Sequence, residues 1–356
     1  MKNRFLFRLL KQIGVLCSIF GFSSCTIDKV PCEVPITNGL MATKMRGMSI
    51  VAAATPIAGT PVKNLKDIGV NWVAALPYAY YVSNDPEIDT VSVCPLDNCP
   101  HGPSSKYAVI EIIQKSKLEG VKVMIKPQLW AEMEWVGDME FDSEAKWDQF
   151  EINYTDFIMD WAEMARDMDV DLFCIGTELE QFVLNRPNYW LKLIKEIREV
   201  YKGKLTYAAN WDEFKRITFW SELDFIGIDA YFPLSELKSP TILDFEKGWK
   251  PHKDEIIRIQ KKFNKPVLFT EFGYRSLDFT GKKPGESNRV KNNVNLAAHE
   301  RALQAIHNQF WKEDWFAGGF VWKWFHRHDR VGGTNNNRFT PQNKPAEVLL
   351  KELYKQ

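Results

Sequence analysis

Two glutamates occupy positions from which a carboxylate can do chemistry. Glu178 closes the run Cys174-Ile175-Gly176-Thr177-Glu178, and Glu271 lies in Phe269-Thr270-Glu271-Phe272-Gly273-Tyr274, each straight after apolar residues. A carboxylate at the end of an apolar strand stands at a rim, where a substrate can reach it. A pair of them suits cleavage of a glycosidic bond, in which one carboxylic acid protonates the leaving oxygen and one carboxylate attacks or stabilises the anomeric carbon. A separation of about 5 to 5.5 Å would give retention of configuration, and one of about 6.5 to 9.5 Å inversion.

The other apolar runs end in residues that fit a sugar site: Lys126-Pro127-Gln128-Leu129-Trp130, Asn210-Trp211-Asp212, Asp229-Ala230-Tyr231 and Trp322-Lys323-Trp324-Phe325-His326. Pyranose rings carry apolar C–H faces that pack on indoles, while amides and phenols fix the hydroxyls. Trp130, Trp211, Trp322 and Trp324 are therefore expected to touch substrate, with Lys126, Thr177, Asn210, Tyr231 and His326 as polar contacts. Tyr231 is also placed to donate to Glu271 and favour its charged form. The chain holds 13 Trp, more large rings than a core of this size requires. His326-Arg327-His328-Asp329 could be read as a metal cluster, but a substrate-contacting loop is the preferred reading, and no cofactor is expected.

Such residues need a scaffold that brings strand ends together. Eight β-rich apolar runs, at 47–51, 71–76, 121–128, 171–177, 204–209, 223–231, 266–271 and 318–324, alternate with amphipathic helical segments at 107–119, 145–166, 189–201, 244–263 and 293–310. Near-continuous apolar runs such as Phe225-Ile226-Gly227-Ile228 are what parallel strands covered on both faces require. Eight βα units, with no glycine-rich dinucleotide fingerprint after the first strand, predict an α/β fold of the (β/α)8 TIM-barrel type, with its site at the C-terminal ends of the strands. Glu178 and Glu271 then end the fourth and seventh strands. The long second βα loop, 79–105, is the place to look for what shapes the cleft.

Charge and cysteines bound the partners. The 46 basic and 46 acidic residues balance, which leaves no basic footprint for nucleic acid. Lys2, Arg4, Arg8 and Lys11, then an apolar stretch to Phe22 and Ser23-Ser24-Cys25, read as a signal peptide over 1–24. The apolar stretch is shorter than the roughly 20 residues a bilayer needs. A Cys after two small residues resembles a bacterial lipobox, which predicts lipidation of Cys25, a polar tether over 25–43, and a domain over 44–356 held at the periplasmic or outer face of a bacterial membrane. With the leader's four basic residues removed, 42 basic face 46 acidic residues, a mildly acidic balance suited to a neutral glycan. Cys94 and Cys99, five apart in a Pro-bearing segment, suggest a short disulfide in an exported protein, with zinc beside His101 as the lesser reading. Cys174 reads as a buried free thiol. A single copy of the chain is expected to suffice.

Taken together, Gly176-Thr177-Glu178, Thr270-Glu271-Phe272-Gly273-Tyr274, Ile228-Asp229-Ala230-Tyr231 and Phe320-Val321-Trp322-Lys323-Trp324 resemble glycoside hydrolase family 113, whose known members are β-1,4-mannanases of clan A. The resemblance runs from about Met45 to Ala346. It implies a retaining mechanism, with Glu178 as acid/base and Glu271 as nucleophile, and endo-acting cleavage of mannan or glucomannan. Thr177 departs from the clan, which usually carries an Asn before the acid/base to bond the sugar 2-hydroxyl; Asn210 is the candidate substitute. Two alternatives stand beside this reading: a clan relative acting on another β-linked glycan such as glucan or xylan, and a non-catalytic glycan-binding lipoprotein.

Overall fold

The computed structural model describes residues 43–53, 56–57, 59, 61–89, 105–131, 135–287 and 293–355. All of them fall within one compact unit, 40–356. Cys25, Cys94 and Cys99 lie outside the described residues.

In chain order the elements are β1 Met45–Val51, α1 Pro61–Asp67, β2 Trp72–Ala75, β3 Tyr78–Tyr81, β4 Ile88–Asp89, α2 Lys106–Leu118, β5 Lys122–Ile125 and β6 Gln128–Ala131. They continue with α3 Glu144–Asp167, β7 Leu172–Thr177, α4 Glu180–Asn185, α5 Pro187–Val200, β8 Lys204–Asn210 and β9 Ile226–Asp229. Last come α6 Ile242–Phe263, β10 Val267–Phe272, α7 Leu296–Phe310, β11 Phe316–Phe325 and α8 Pro345–Leu353. Eight parallel strands close a barrel in the order β1-β11-β10-β9-β8-β7-β5-β2. Each was anticipated as an apolar run. β7, β10 and β9 are buried along their whole length, as strands between a filled interior and a helical shell must be. The barrel interior holds Trp72, Met124, Leu172, Cys174, Leu268 and Phe320, while a larger apolar layer lies between strands and helices. Cys174 is a buried free thiol, its pKa pushed up to about 12 by burial. Among the described residues no helix is long and apolar enough to cross a membrane.

Local chemistry explains the helix boundaries. Thr241 and Asp244 form a reciprocal capping box at the start of α6, and Asn264 ends it in a left-handed turn at φ 50°. Pro187 opens α5, where its missing N–H costs least. Gly318 sits at φ +118° with the Met45 backbone where a Cβ would project, so β1 and β11 can close the barrel only over a glycine there.

The rim differs from expectation in one respect that matters. The third run, expected to continue through Gln128, stops at Ile125. Pro127 has no N–H to donate, and the chain leaves the barrel to start β6. The second βα loop likewise carries β3 and β4. These pair with β6 into a three-stranded sheet, order β4-β3-β6, standing beyond the ends of β2 and β5.

Candidate active site

At the end of β7 the backbone turns sharply. Glu178 adopts φ 54°, a conformation uncommon for a non-glycine residue and frequent at functional sites, and the β7–β8 register shifts between Cys174 and Thr177. Neighbouring groups hold the turn. The Glu178 N–H donates to the Ala208 carbonyl at 2.8 Å, and the Leu179 N–H to the Tyr207 phenol at 2.7 Å. That phenol donates to Glu213 Oε1 at 2.7 Å, and Glu213 Oε2 accepts the Asn210 N–H at 2.8 Å. This chain of bonds ties the end of β7 to the end of β8, with Glu213 wholly buried.

Among the described residues the Glu178 side chain accepts a hydrogen bond from Trp135 Nε1 at 2.9 Å. Removal from water disfavours its charged form, and the nearby Glu271 adds to the effect against the indole donor, so its pKa rises to about 7.

Glu271, on β10, has a different setting. Gln128 Nε2 donates to it at 2.8 Å, the Tyr231 hydroxyl at 2.8 Å, and Lys126 Nζ forms an ion pair with it. Lys126 also reaches Asp229 Oδ2 at 2.9 Å, and Thr270 Oγ1 donates to Asp229 Oδ1 at 2.7 Å. Burial works against the Lys126 charge, but Asp229 and Glu271 together outweigh it and hold the ammonium above its ordinary range. Burial and the Glu271 charge push the Asp229 carboxyl well above the usual carboxylate range. Burial likewise raises the Tyr231 phenol, which therefore stays protonated as a donor.

Both glutamates open on one cavity of about 360 Å³, lined by Gln128, Trp135, Thr177, Glu178, Asn210, Trp211, Asp229, Tyr231, Glu271, Gly285, Ser287, Trp322 and Phe339. Of the residues singled out from the sequence, Thr177, Glu178, Asn210, Trp211, Tyr231, Glu271 and Trp322 meet here. The Thr177 hydroxyl donates to the Pro127 carbonyl at 3.0 Å and the Asn210 side-chain oxygen accepts the Trp211 N–H at 2.8 Å, which fixes both side chains. The Trp322–Lys323 peptide is cis, and the Lys323 ammonium lies 4.7 Å from the Trp322 ring centroid.

Four expected substrate contacts are placed elsewhere. Lys126 is sealed beneath the cavity at 0% exposure, so it acts on Glu271 and Asp229 and not on a sugar. Trp324 is 1% exposed and packs against the His328 ring; regular alternation would keep it on the face of Trp322, but the β1–β11 register shifts between Val321 and Trp324 and breaks that alternation. His326 and Trp130 do not line the cavity. In turn Trp135, Gln128, Asp229 and Phe339 do line it although none was singled out. Gln128 and Asp229 stood in strand-end motifs, whereas Trp135 and Phe339 arrive on loops with no periodic signal. Among the described residues no group of three or more His, Cys, Asp or Glu could hold a metal ion.

Replacing Lys126 by Met should cost about 3–5 kcal/mol of stability near neutral pH, because two buried carboxylates lose their cation. Asp229 has a raised folded-state pKa, so the folded variant binds more protons than the unfolded chain and should regain stability as pH falls. Urea unfolding of wild type and variant from pH 5 to 8 measures this; a loss independent of pH would contradict the charge-compensation account.

No curated protein sequence matches the chain. Among solved structures it superposes on a GH113 β-mannanase from Alicyclobacillus acidocaldarius in complex with ManMIm, with a TM-score of 0.75 and 21% identity over 89% of this chain and 99% of that one. A complex structure of a GH113 β-1,4-mannanase gives a TM-score of 0.74 and 21% identity over 88% and 99%. The Ruminococcus gnavus β-glucuronidase matches more distantly, with a TM-score of 0.59 and 14% identity over 87% of this chain and 50% of that one. At such identities these likenesses speak for the barrel fold. The sequence profile of Glycoside Hydrolase Family 113 matches residues 51–344, from the last residue of the first barrel strand to the residue before α8. A glycosidase that takes a carbohydrate substrate is thus what the barrel, its two rim glutamates and this match describe, and the chain belongs to Glycoside Hydrolase Family 113.

Proposed function

We propose that this protein is a retaining, endo-acting hydrolase of β-1,4-mannosidic linkages in mannan or glucomannan, with Glu271 as nucleophile and Glu178 as acid/base. The observation that carries this reading is the contrast between two carboxyl groups in one cavity. Glu271 is met by an ammonium, an amide and a phenol, a setting that complements negative charge. Glu178 receives a single indole bond and keeps its proton up to about pH 7. Environments that push two titratable groups apart are how one site runs acid and base chemistry together.

In the proposed reaction Glu271 attacks the anomeric carbon while Glu178 protonates the leaving oxygen. Glu178 then takes a proton from the water that releases the sugar from Glu271. Trp211 and Trp322 offer rings to the sugar faces, and Asn210 and Thr177 stand where they can meet its hydroxyls. The mannose assignment is supported by the family and by the solved β-mannanases of that family that the chain resembles.

Glu271→Ala should abolish turnover of manno-oligosaccharides. Glu178→Ala should lose about 10² to 10⁴ in rate on substrates with poor leaving groups, and far less on activated aryl glycosides, which need no protonation. Equal losses on both substrate types would refute the acid role. Products from mannan, glucomannan, xylan and β-glucan decide the substrate class, and release from xylan or β-glucan in place of mannan would move the protein to a neighbouring specificity.

Since Glu178 must be protonated to act as acid, kcat/KM should fall as pH rises through about 7. The Trp135 indole favours the carboxylate, so Trp135→Phe should raise the Glu178 pKa and move that alkaline limb to higher pH. A limb that stays in place, or moves down, would separate Glu178 from the titration.

We also propose export and anchoring through a lipidated Cys25, on the strength of the basic leader, the short apolar run and the Ser-Ser-Cys ending. The wild-type protein should then fractionate with membranes of a lipoprotein-processing host and Cys25→Ser should not; equal behaviour would remove the anchor.

A further inference from the structure

We propose that Tyr80 and Trp130 form an outlying glycan subsite, continuous with the cavity, which takes the part of a β-linked chain lying beyond the sugars at Glu178 and Glu271. The proposal rests on the glycosidase reading and adds a second point of contact to it.

The geometry comes from the rim sheet. β3 and β6 pair in parallel with Tyr78 opposite Gln128 and Tyr80 opposite Trp130. Side chains two residues apart on a strand share a face. On the opposite face Ala79, Tyr81, Leu129 and Ala131 are all buried, so the sheet is fixed to the core and cannot present its other side. The inner pair on the open face belongs to the catalytic cavity: Gln128 bonds Glu271 at 2.8 Å, and Tyr78 packs against the barrel interior close enough for the Glu271 charge to act on its phenol.

The outer pair stands one strand repeat farther out, about 6.6 Å. Trp130 is 52% exposed, and Tyr80 meets it edge to face with centroids 5.6 Å apart at 83°. The phenol stands beside the indole, and about half of the Trp130 surface remains open to solvent. Gln128, two residues before Trp130 on the same strand, lines the cavity, so the exposed ring stands on a strand that already contributes to the cavity wall. An open apolar ring face in this position suits the C–H face of a pyranose and carries no charge for an ionic group.

The test compares Trp130→Ala and Trp130→Phe with wild type on β-1,4-manno-oligosaccharides from the disaccharide to the hexasaccharide and on an activated aryl mannoside. For Trp130→Ala, kcat/KM should drop by about five- to tenfold on the hexasaccharide through a raised KM, the scale of one aromatic contact. It should stay within about twofold of wild type on the aryl mannoside, and Trp130→Phe should recover most of the loss. An unchanged melting temperature shows that the exposed substitution leaves the fold intact. Unchanged kcat/KM on the hexasaccharide, or equal loss on short and long substrates, overturns the subsite. If wild type cleaves glucan or xylan in place of mannan, the mannose reading fails, and the same length series made of that glycan still decides the subsite.

Discussion

A lysine ammonium with no access to water, placed between two carboxylates, is the interaction on which the centre of this protein depends. Lys126 leaves β5, Asp229 ends β9 and Glu271 sits in β10, so the ion cluster joins strands that are 103 and 145 residues apart in sequence. An isolated charge in that position would be very costly, and so would either carboxylate alone. Closure of the barrel brings the three together and lets each offset the others. Thr270 and Tyr231 satisfy the remaining carboxylate oxygens from the same strands and their ends. The nucleophile in the proposed reaction is therefore held by Lys126, which is sealed beneath the cavity, and by Gln128 and Tyr231 in the cavity wall.

The second carboxyl group is handled in the opposite way. Glu178 sits on a left-handed residue held by backbone bonds to β8 and by the Tyr207–Glu213 pair, which fixes its position without supplying charge. Among the described residues its side-chain donor is a neutral indole. Burial then dominates and keeps the proton on at neutral pH. One cavity thus contains a carboxylate surrounded by donors and a carboxylic acid nearly without them, and the difference comes from which strand ends stand nearby.

The rim sheet adds a layer that the barrel alone lacks. Because the chain departs from the barrel at Pro127 and pairs with β3, Gln128 is carried over the cavity to Glu271 and Trp135 to Glu178. Both glutamates accept a hydrogen bond from a side chain that follows Pro127 in sequence. The cavity wall and the orientation of the carboxylates are consequently set by the same excursion of backbone.

Much of this was legible in the residues taken in order. The eight apolar runs, the helices between them and the two glutamates at the ends of the fourth and seventh runs follow from burial on both faces of a parallel sheet, a constraint that acts locally and leaves a local pattern. The motifs around Glu178, Glu271, Tyr231 and Trp322 carried the family resemblance for the same reason, since strand ends are short and contiguous. What only the tertiary structure decided is which strand-end side chains face the cavity and which pack away from it. Lys126 and Trp324 looked like sugar contacts and are buried, because the end of a strand cannot be located to one residue by pattern and the register shift between Val321 and Trp324 breaks an alternation that the sequence would have continued. Trp135 and Phe339 reach the cavity on irregular loops, whose path is set by long-range packing and not by periodicity. Nor did Gln128 announce its bond to Glu271, because that contact exists only once Pro127 turns the chain out of the barrel and β3 receives it.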